Sequence, residues 1–146
     1  MRWPNFYSAV YVVIKNEKWE ILFWRRKSDF KDGYFQIIPA GHLEWEETIV
    51  TCAIREAKEE VWIDIQENDL KVIHISHRIS MGNRVYFDIY VEVTNYSGNI
   101  RLCEDDKCSE IKFIDIDNLP KDDYVMYDIE ALRKAKSWEY FSDIVT

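Results

Sequence analysis

The sequence predicts an α/β protein in which a mixed β-sheet is packed between helices. Three observations carry this: several Val-, Ile- and aromatic-rich runs bounded by turn residues, a stretch at 47–61 free of Gly and Pro with apolar residues at helical spacing, and a second such stretch near the C-terminus. The order is strands, helix, strands, helix, which is satisfied most simply when helices cover the faces of a sheet. A length of 146 residues suits a single domain, 1–146, with its own hydrophobic core.

Taken in order, residues 7–14 are rich in Val, Ile and Tyr, and Lys15, Asn16, Glu17 and Lys18 form a turn-like stretch before a second apolar run at 19–24. The two runs are expected to pair as a hairpin. The second leads into Arg25, Arg26 and Lys27, a dense cationic triplet, and then into a loop at 28–33. Residues 35–38 form a short strand that stops at Pro39. In the helix at 47–61, Val50, Ala53, Ile54, Ala57 and Val61 make the apolar face. Residues 70–79 and 85–93 flank Met81, Gly82 and Asn83 and read as a hairpin. In its second strand Val85, Phe87, Ile89, Val91 and Val93 alternate with Tyr86, Asp88, Tyr90 and Glu92, giving one apolar and one amphipathic face. Residues 111–116 are the last strand expected. Asp122 or Asp123 is placed to cap a helix whose Tyr124, Tyr127, Ala131, Ala135 and Trp138 recur every 3.6 residues, with Arg133, Lys134 and Lys136 at its negative end.

Composition narrows the function. The 47% hydrophobic and 32% charged residues are those of a globular protein, no apolar run approaches a membrane span, and the N-terminus lacks a secretory layout, so the expected location is cytoplasmic with no membrane partner. A formal net charge of −8 disfavours a nucleic-acid polymer, whereas a free nucleotide arriving with a divalent cation is acceptable. Cys52, Cys103 and Cys108 are an odd count and argue against a disulfide framework, and Cys103 and Cys108 are too loosely spaced to make a zinc site with His74 and His77. No EF-hand spacing is present.

The most informative segment begins at Gly41. At about 100° per residue, Glu56, Glu59 and Glu60 crowd onto one third of the helix circumference beside its apolar face. A Glu-rich face is ordinarily solvated surface. Like charges this close, however, oppose one another's ionisation unless cations are supplied, and hard oxygen donors in a tight group suit Mg²⁺ or Mn²⁺.

The spacing of Gly41, Glu47, Arg55, Glu56, Ala57, Glu59, Glu60 and Ile63 resembles the signature box of the Nudix hydrolases. Two positions depart from it: Ala57 is smaller than the usual aliphatic residue, and Trp62 stands where the family has glycine. That glycine lies where helices commonly exit through a left-handed residue, a conformation that would cost Trp62 about 1–2 kcal/mol unless it adopts another. The resemblance implies a Nudix-type α/β/α sandwich, a metal site of Glu56, Glu59, Glu60 and the carbonyl of Ala40, and Glu47 with Arg55 and Gly41 as structural support of the box. It also implies a catalytic role for Glu56, Glu59 and Glu60, with Glu56 or a distant loop carboxylate (Glu104, Asp105 or Asp106) as the base. Residues 107–120 are similar to a late strand-and-turn region of small nucleotide-hydrolysing members.

For substrate, Arg25, Arg26 or Lys27 could grip phosphate oxygens, and Phe35, Tyr86 or Phe87 could stack on a base. The expected activity is that of a MutT-like pyrophosphatase: Mg²⁺-dependent hydrolysis, Mn²⁺ substituting, of a nucleoside or deoxynucleoside triphosphate to monophosphate and pyrophosphate. The alternatives are a nucleoside diphosphate, a nucleotide sugar or a dinucleoside polyphosphate as substrate, or a silent module that only binds nucleotide. Oligomeric state is open.

Overall fold

The computed structural model describes residues 3–101 and 106–146. In chain order the elements are β1 (Asn5–Val13), β2 (Ile21–Arg26), β3 (Phe35–Ile37), β4 (Ala40–His42), α1 (Ile49–Val61), β5 (Leu70–Ser80), β6 (Arg84–Val93), β7 (Cys108–Ile114), α2 (Met126–Lys136) and β8 (Phe141–Val145). A larger mixed sheet runs β4-β1-β6-β5-β8, and a smaller antiparallel one runs β3-β2-β7.

β1 shows why the larger sheet is mixed. From Ala9 to Val13 every residue is buried, so both faces of this strand can lie inside the protein, and it pairs parallel with β6 on one side and antiparallel with β4 on the other. α1 packs on one face of the sheet, over Val10, Val12, Ile89 and Val91, through Cys52, Ala53, Ala57 and Val61. α2 covers the other, where Ile129, Ala131 and Leu132 meet Ala9, Tyr11, Val13 and Tyr90. The smaller sheet feeds both cores: Leu22 and Trp24 of β2 join the α1 side, Ile21 and Phe23 the α2 side.

Four expectations are corrected. β1 and β2 lie in different sheets, and the expected hairpin is confined to its base, where Lys15 pairs antiparallel with Ile21 and the amide of Leu22 donates to the carbonyl of Ile14 at 2.9 Å. The strand-like runs were correctly located, but periodicity carries no partner information; the turn, where Asn16 Oδ1 accepts from the amides of Lys18 and Glu20, redirects the chain from one layer to the other. α2 begins at Met126 with Val125 as an N-cap that makes no side-chain bond. Asp122 instead accepts from Arg25, and the carbonyl of Asp123 accepts from the amide of Phe35. α2 also ends at Lys136, ahead of Trp138, which has a left-handed backbone at φ 63°. Beyond it β8, unanticipated, adds to β5 in parallel as an edge strand, which a five-residue run with one buried position signals too weakly.

β5 and β6 form the antiparallel hairpin, turning through Gly82 and Asn83 at positive φ. His74 is structural: its Nδ1–H donates to the carbonyl of Glu139 at 2.6 Å, and Nε2 lies 2.8 Å from Ser142 Oγ.

Candidate active site

The box is assembled by β4 and α1, two neighbours of β1. α1 starts at a capping box in which Thr48 Oγ1 accepts from the amide of Thr51 at 3.1 Å and Thr51 Oγ1 accepts from the amide of Thr48 at 3.0 Å. From that fixed start, Arg55, Glu56, Glu59 and Glu60 follow on the side of the helix that faces β4 and the loop before α1. Glu60 is 5% exposed, and its Oε1 accepts from the amide of Ala40 at 2.8 Å. Glu56 lies against Gly41: a Cβ built on Gly41 would come within 2.0 Å of Glu56 Oε1. The glycine is required here for close approach, not for an unusual backbone angle.

Arg55 joins the loop to the helix. Its Nε and Nη2 donate to Glu47 Oε2 and Oε1 at 2.6 and 2.9 Å, a two-pronged clamp, while Nη1 donates to Glu56 Oε1 at 2.7 Å and to Glu59 Oε2 at 3.2 Å. The guanidinium beside it holds the Glu47 carboxyl down at about 2. Glu56 is driven the other way: burial raises its pKa, against the lowering effect of Arg55. Three carboxylates hydrogen-bonded to one cation leave the cluster negative in total, and the desolvated one, Glu56, gains most from a further positive charge. Carboxylate oxygens, together with the Ala40 carbonyl that the box resemblance implies, are the donors of a hard divalent cation. As the side chains stand, no three His, Cys, Asp or Glu among the described residues converge to ion-binding distance; Arg55 and the amide of Ala40 hold the carboxylates instead.

The helix exit resolves the question posed by Trp62. It adopts the left-handed conformation, φ 64° and ψ 30°, and its amide donates to the carbonyl of Lys58. Its ring, half exposed, receives the Arg101 guanidinium at 4.0 Å and the Lys58 ammonium at 5.6 Å.

The NUDIX domain family model matches residues 6–135. The chain belongs to the Nudix family. Enzymes of this family hydrolyse nucleoside diphosphate derivatives and generally use divalent metal ions. Solved Nudix structures share the fold: a MutT NUDIX hydrolase from Burkholderia pseudomallei is similar with a TM-score of 0.73 at 21% identity, over 88% of this chain and 98% of that one. A MutT protein from Methanosarcina mazei is similar with a TM-score of 0.73 at 18% identity, over 94% and 97%. An ADP-ribose pyrophosphatase from Streptococcus suis is similar with a TM-score of 0.60 at 16% identity, over 96% and 98%. No helix of the described residues is long and apolar enough to cross a membrane.

Outside the Nudix box the expected substrate contacts fare differently. Arg25 is committed internally: it forks onto Asp122 at 3.0 and 2.9 Å, donates to Glu110 and to the carbonyl of Gly33, and lies 4.3 Å over the Phe35 ring. Arg26 donates to Gln36, to Ser28 and to the carbonyl of Phe30, bracing the loop after β2. Phe35 has no exposure and is core, stacked on Tyr124. In this structure Arg25 and Arg26, both partly exposed, brace the smaller sheet and its loops, and Phe35 is enclosed in the core. Phe87 is half-buried on the α1 side of the larger sheet, between Phe6 and His77. Glu104 and Asp105 lie outside the described residues; Asp106 is exposed in the turn before β7.

Beside the box on the α2 side lies a cluster of which only Tyr86 was expected from the sequence to meet a base. Tyr7, His42 and Tyr86 meet with ring centroids 5.2–6.2 Å apart, His42 being the residue after Gly41. Next to them Arg78, 5% exposed, lies between the rings of Tyr86 at 4.2 Å and Tyr127 at 4.0 Å and forks onto fully buried Asp88 at 2.6 and 3.2 Å. The signal available was alternation: Tyr86, Asp88 and Tyr90 share the amphipathic face of β6.

Proposed function

We propose that this Nudix hydrolase splits a nucleoside or deoxynucleoside triphosphate into monophosphate and pyrophosphate, with Mg²⁺ as its ion and Mn²⁺ as a substitute. The observation that carries the reading is the contact of Glu56 with Gly41, beside Glu60 on the amide of Ala40: two carboxylates of α1 are held against β4 at the edge of the sheet, with Glu59 joined to them through Arg55. The resemblance of residues 107–120 to a late strand-and-turn region of small nucleotide-hydrolysing members supports a triphosphate.

In this reading Glu56, Glu59, Glu60 and the carbonyl of Ala40 hold the ion. Bound there, it would screen the phosphate oxygens and lower the pKa of an attacking water. Arg55 keeps the loop clamped to the helix through Glu47, so that the carboxylates stay registered on β4 while the substrate is held. Glu56, with its raised pKa, is the group suited to accept the water's proton. Tyr7, His42 and Tyr86 offer faces for a base next to the box.

The test is product analysis of a nucleotide panel with Mg²⁺ and with Mn²⁺. Monophosphate and pyrophosphate in equal amounts are expected. Inorganic phosphate, or a sugar phosphate without pyrophosphate, would move the activity to another diphosphate derivative, and nucleotide binding without turnover would make the chain a silent module.

A further inference from the structure

A second cavity lies away from the box. It holds about 340 Å³ between the C-terminal half of α2, the turn from β1 to β2 and the far end of the larger sheet. It shares no lining residue with the box, whose helix α1 packs on the opposite face of that sheet. Its walls are aliphatic, with Val13, Ile21, Ile73 and Leu132 from four different elements, and its volume is at the lower end of the roughly 300–1,000 Å³ typical of small-ligand sites.

The rim is what sets this cavity apart. Trp19, Trp138 and Tyr140 line it and are 68%, 72% and 62% exposed. Both tryptophans have left-handed backbones, at φ 64° and 63°, Trp19 in the turn from β1 to β2 and Trp138 just past the end of α2. Two such residues, distant in sequence, open on the same cavity. The charge is also reversed relative to the rest of the molecule: the lining carries Lys15, Lys71 and Lys136 against Glu92 alone, in a chain of net charge −8. Lys15 is paired with Glu92 at 2.6 Å and Lys136 with Asp117. Lys71 lies 5.9 Å over the Trp138 ring and has no carboxylate partner among the described residues.

From the aliphatic floor, the aromatic rim and the uncompensated cation, we infer that this cavity is a second binding site for a small planar aromatic anion. The ring system enters between Trp19 and Trp138, and its negative group faces Lys71. A nucleoside monophosphate and a free aromatic carboxylate share this chemistry.

The experiment is a titration followed by the indole N–H signals of Trp19 and Trp138 in the ¹⁵N spectrum, a readout that needs no turnover and so stands whether or not the box is active. The probes are adenosine 5′-monophosphate, 2-naphthoate, neutral 2-naphthamide and the non-planar anion cyclohexanecarboxylate. Saturable shifts of both indoles with the nucleotide or with naphthoate are expected; which of the two acts identifies the source. Naphthamide and cyclohexanecarboxylate should bind about tenfold more weakly or not at all. Lys71→Gln should weaken the planar anion about tenfold, and Trp138→Gly, which suits the left-handed backbone and so preserves the fold, should remove it. The inference is overturned if neither planar anion shifts the two indoles, if naphthamide binds as well as naphthoate, or if both variants bind like the parent.

Discussion

At Gly41 a single hydrogen atom decides where a carboxylate stands. A methyl group there would occupy the position of Glu56 Oε1, and because that oxygen is the far end of a flexible side chain, it can swing aside at little expense to folding. Gly41→Ala is therefore expected to lower turnover by about a hundredfold, as an ångström-scale misplacement does, while thermal unfolding shifts by only a few degrees. Steady-state rates beside a melting curve decide it; equal losses in both would make Gly41 a packing residue only. Glu60→Gln keeps an oxygen for the amide of Ala40 but removes the charge, so turnover should fall by at least about a hundredfold with the fold intact. If hydrolysis is unchanged in that variant, the carboxylate assignment is wrong. These residues were legible from the sequence because their partners are close along it: Arg55 reaches Glu47, Glu56 and Glu59 on one loop and one helix. The fates of Arg25 and Phe35 were not, since Glu110, Asp122 and Tyr124 come from remote strands and turns that no spacing rule connects to them.

At the scale of the element, α1 ends against its own propensity. Trp62 retains the left-handed exit that glycine would take without steric penalty, and its ring contacts with Arg101 and Lys58 offset part of the cost. Trp62→Ala would lose the ring and keep a Cβ at positive φ, whereas Trp62→Gly would lose the ring and relieve the backbone. Urea unfolding should thus place Trp62→Gly above Trp62→Ala by about 1 kcal/mol, with Trp62→Gly within about 1 kcal/mol of the parent. Equal stability of the two variants would mean that the backbone angle carries no penalty. The capping of α2 shows the opposite lesson. Asp122 and Asp123 have the chemistry of N-caps, yet Arg25 takes the first and β3 takes the carbonyl of the second, so tertiary bonds override the local preference.

Across the whole molecule, Asp128 is a group through which stability responds to pH near neutrality. It is fully buried on α2, where Tyr90 Oη donates to its Oδ1 at 3.0 Å and the amide of Ile37 donates to its Oδ2 at 3.3 Å, so one carboxyl ties the helix to both sheets. Around it stand Tyr11 from β1, Arg78 from β5, Asp88 from β6 and Tyr127 from its own helix. Burial pushes the Asp128 carboxyl up to about 7, above its ordinary value of 3.8. The folded state therefore binds a proton more tightly than the unfolded chain between those values. Its contribution is complete below about pH 4 and is lost as pH rises through about 7. Unfolding free energies measured between pH 5 and pH 8 should fall by an amount on the order of 1 kcal/mol or more from this group, and Asp128→Asn should flatten that fall. A variant that retains the full pH dependence would place its origin elsewhere.

The sequence by itself determined the Nudix box and its helix, the β5–β6 hairpin, and the α/β class. Each of these rests on the period of a single continuous segment, 3.6 for a helix and 2 for a strand, or on a signature spacing within it. Tertiary structure alone decided that β1 and β2 belong to different sheets, that Arg25 and Arg26 brace the smaller sheet and its loops while Phe35 is core, that Asp128 is buried against two sheets, and that Tyr7, His42 and Tyr86 gather beside the box. In every one of these cases the partner comes from a part of the chain far away, and periodicity states which face a side chain occupies without stating what that face will meet.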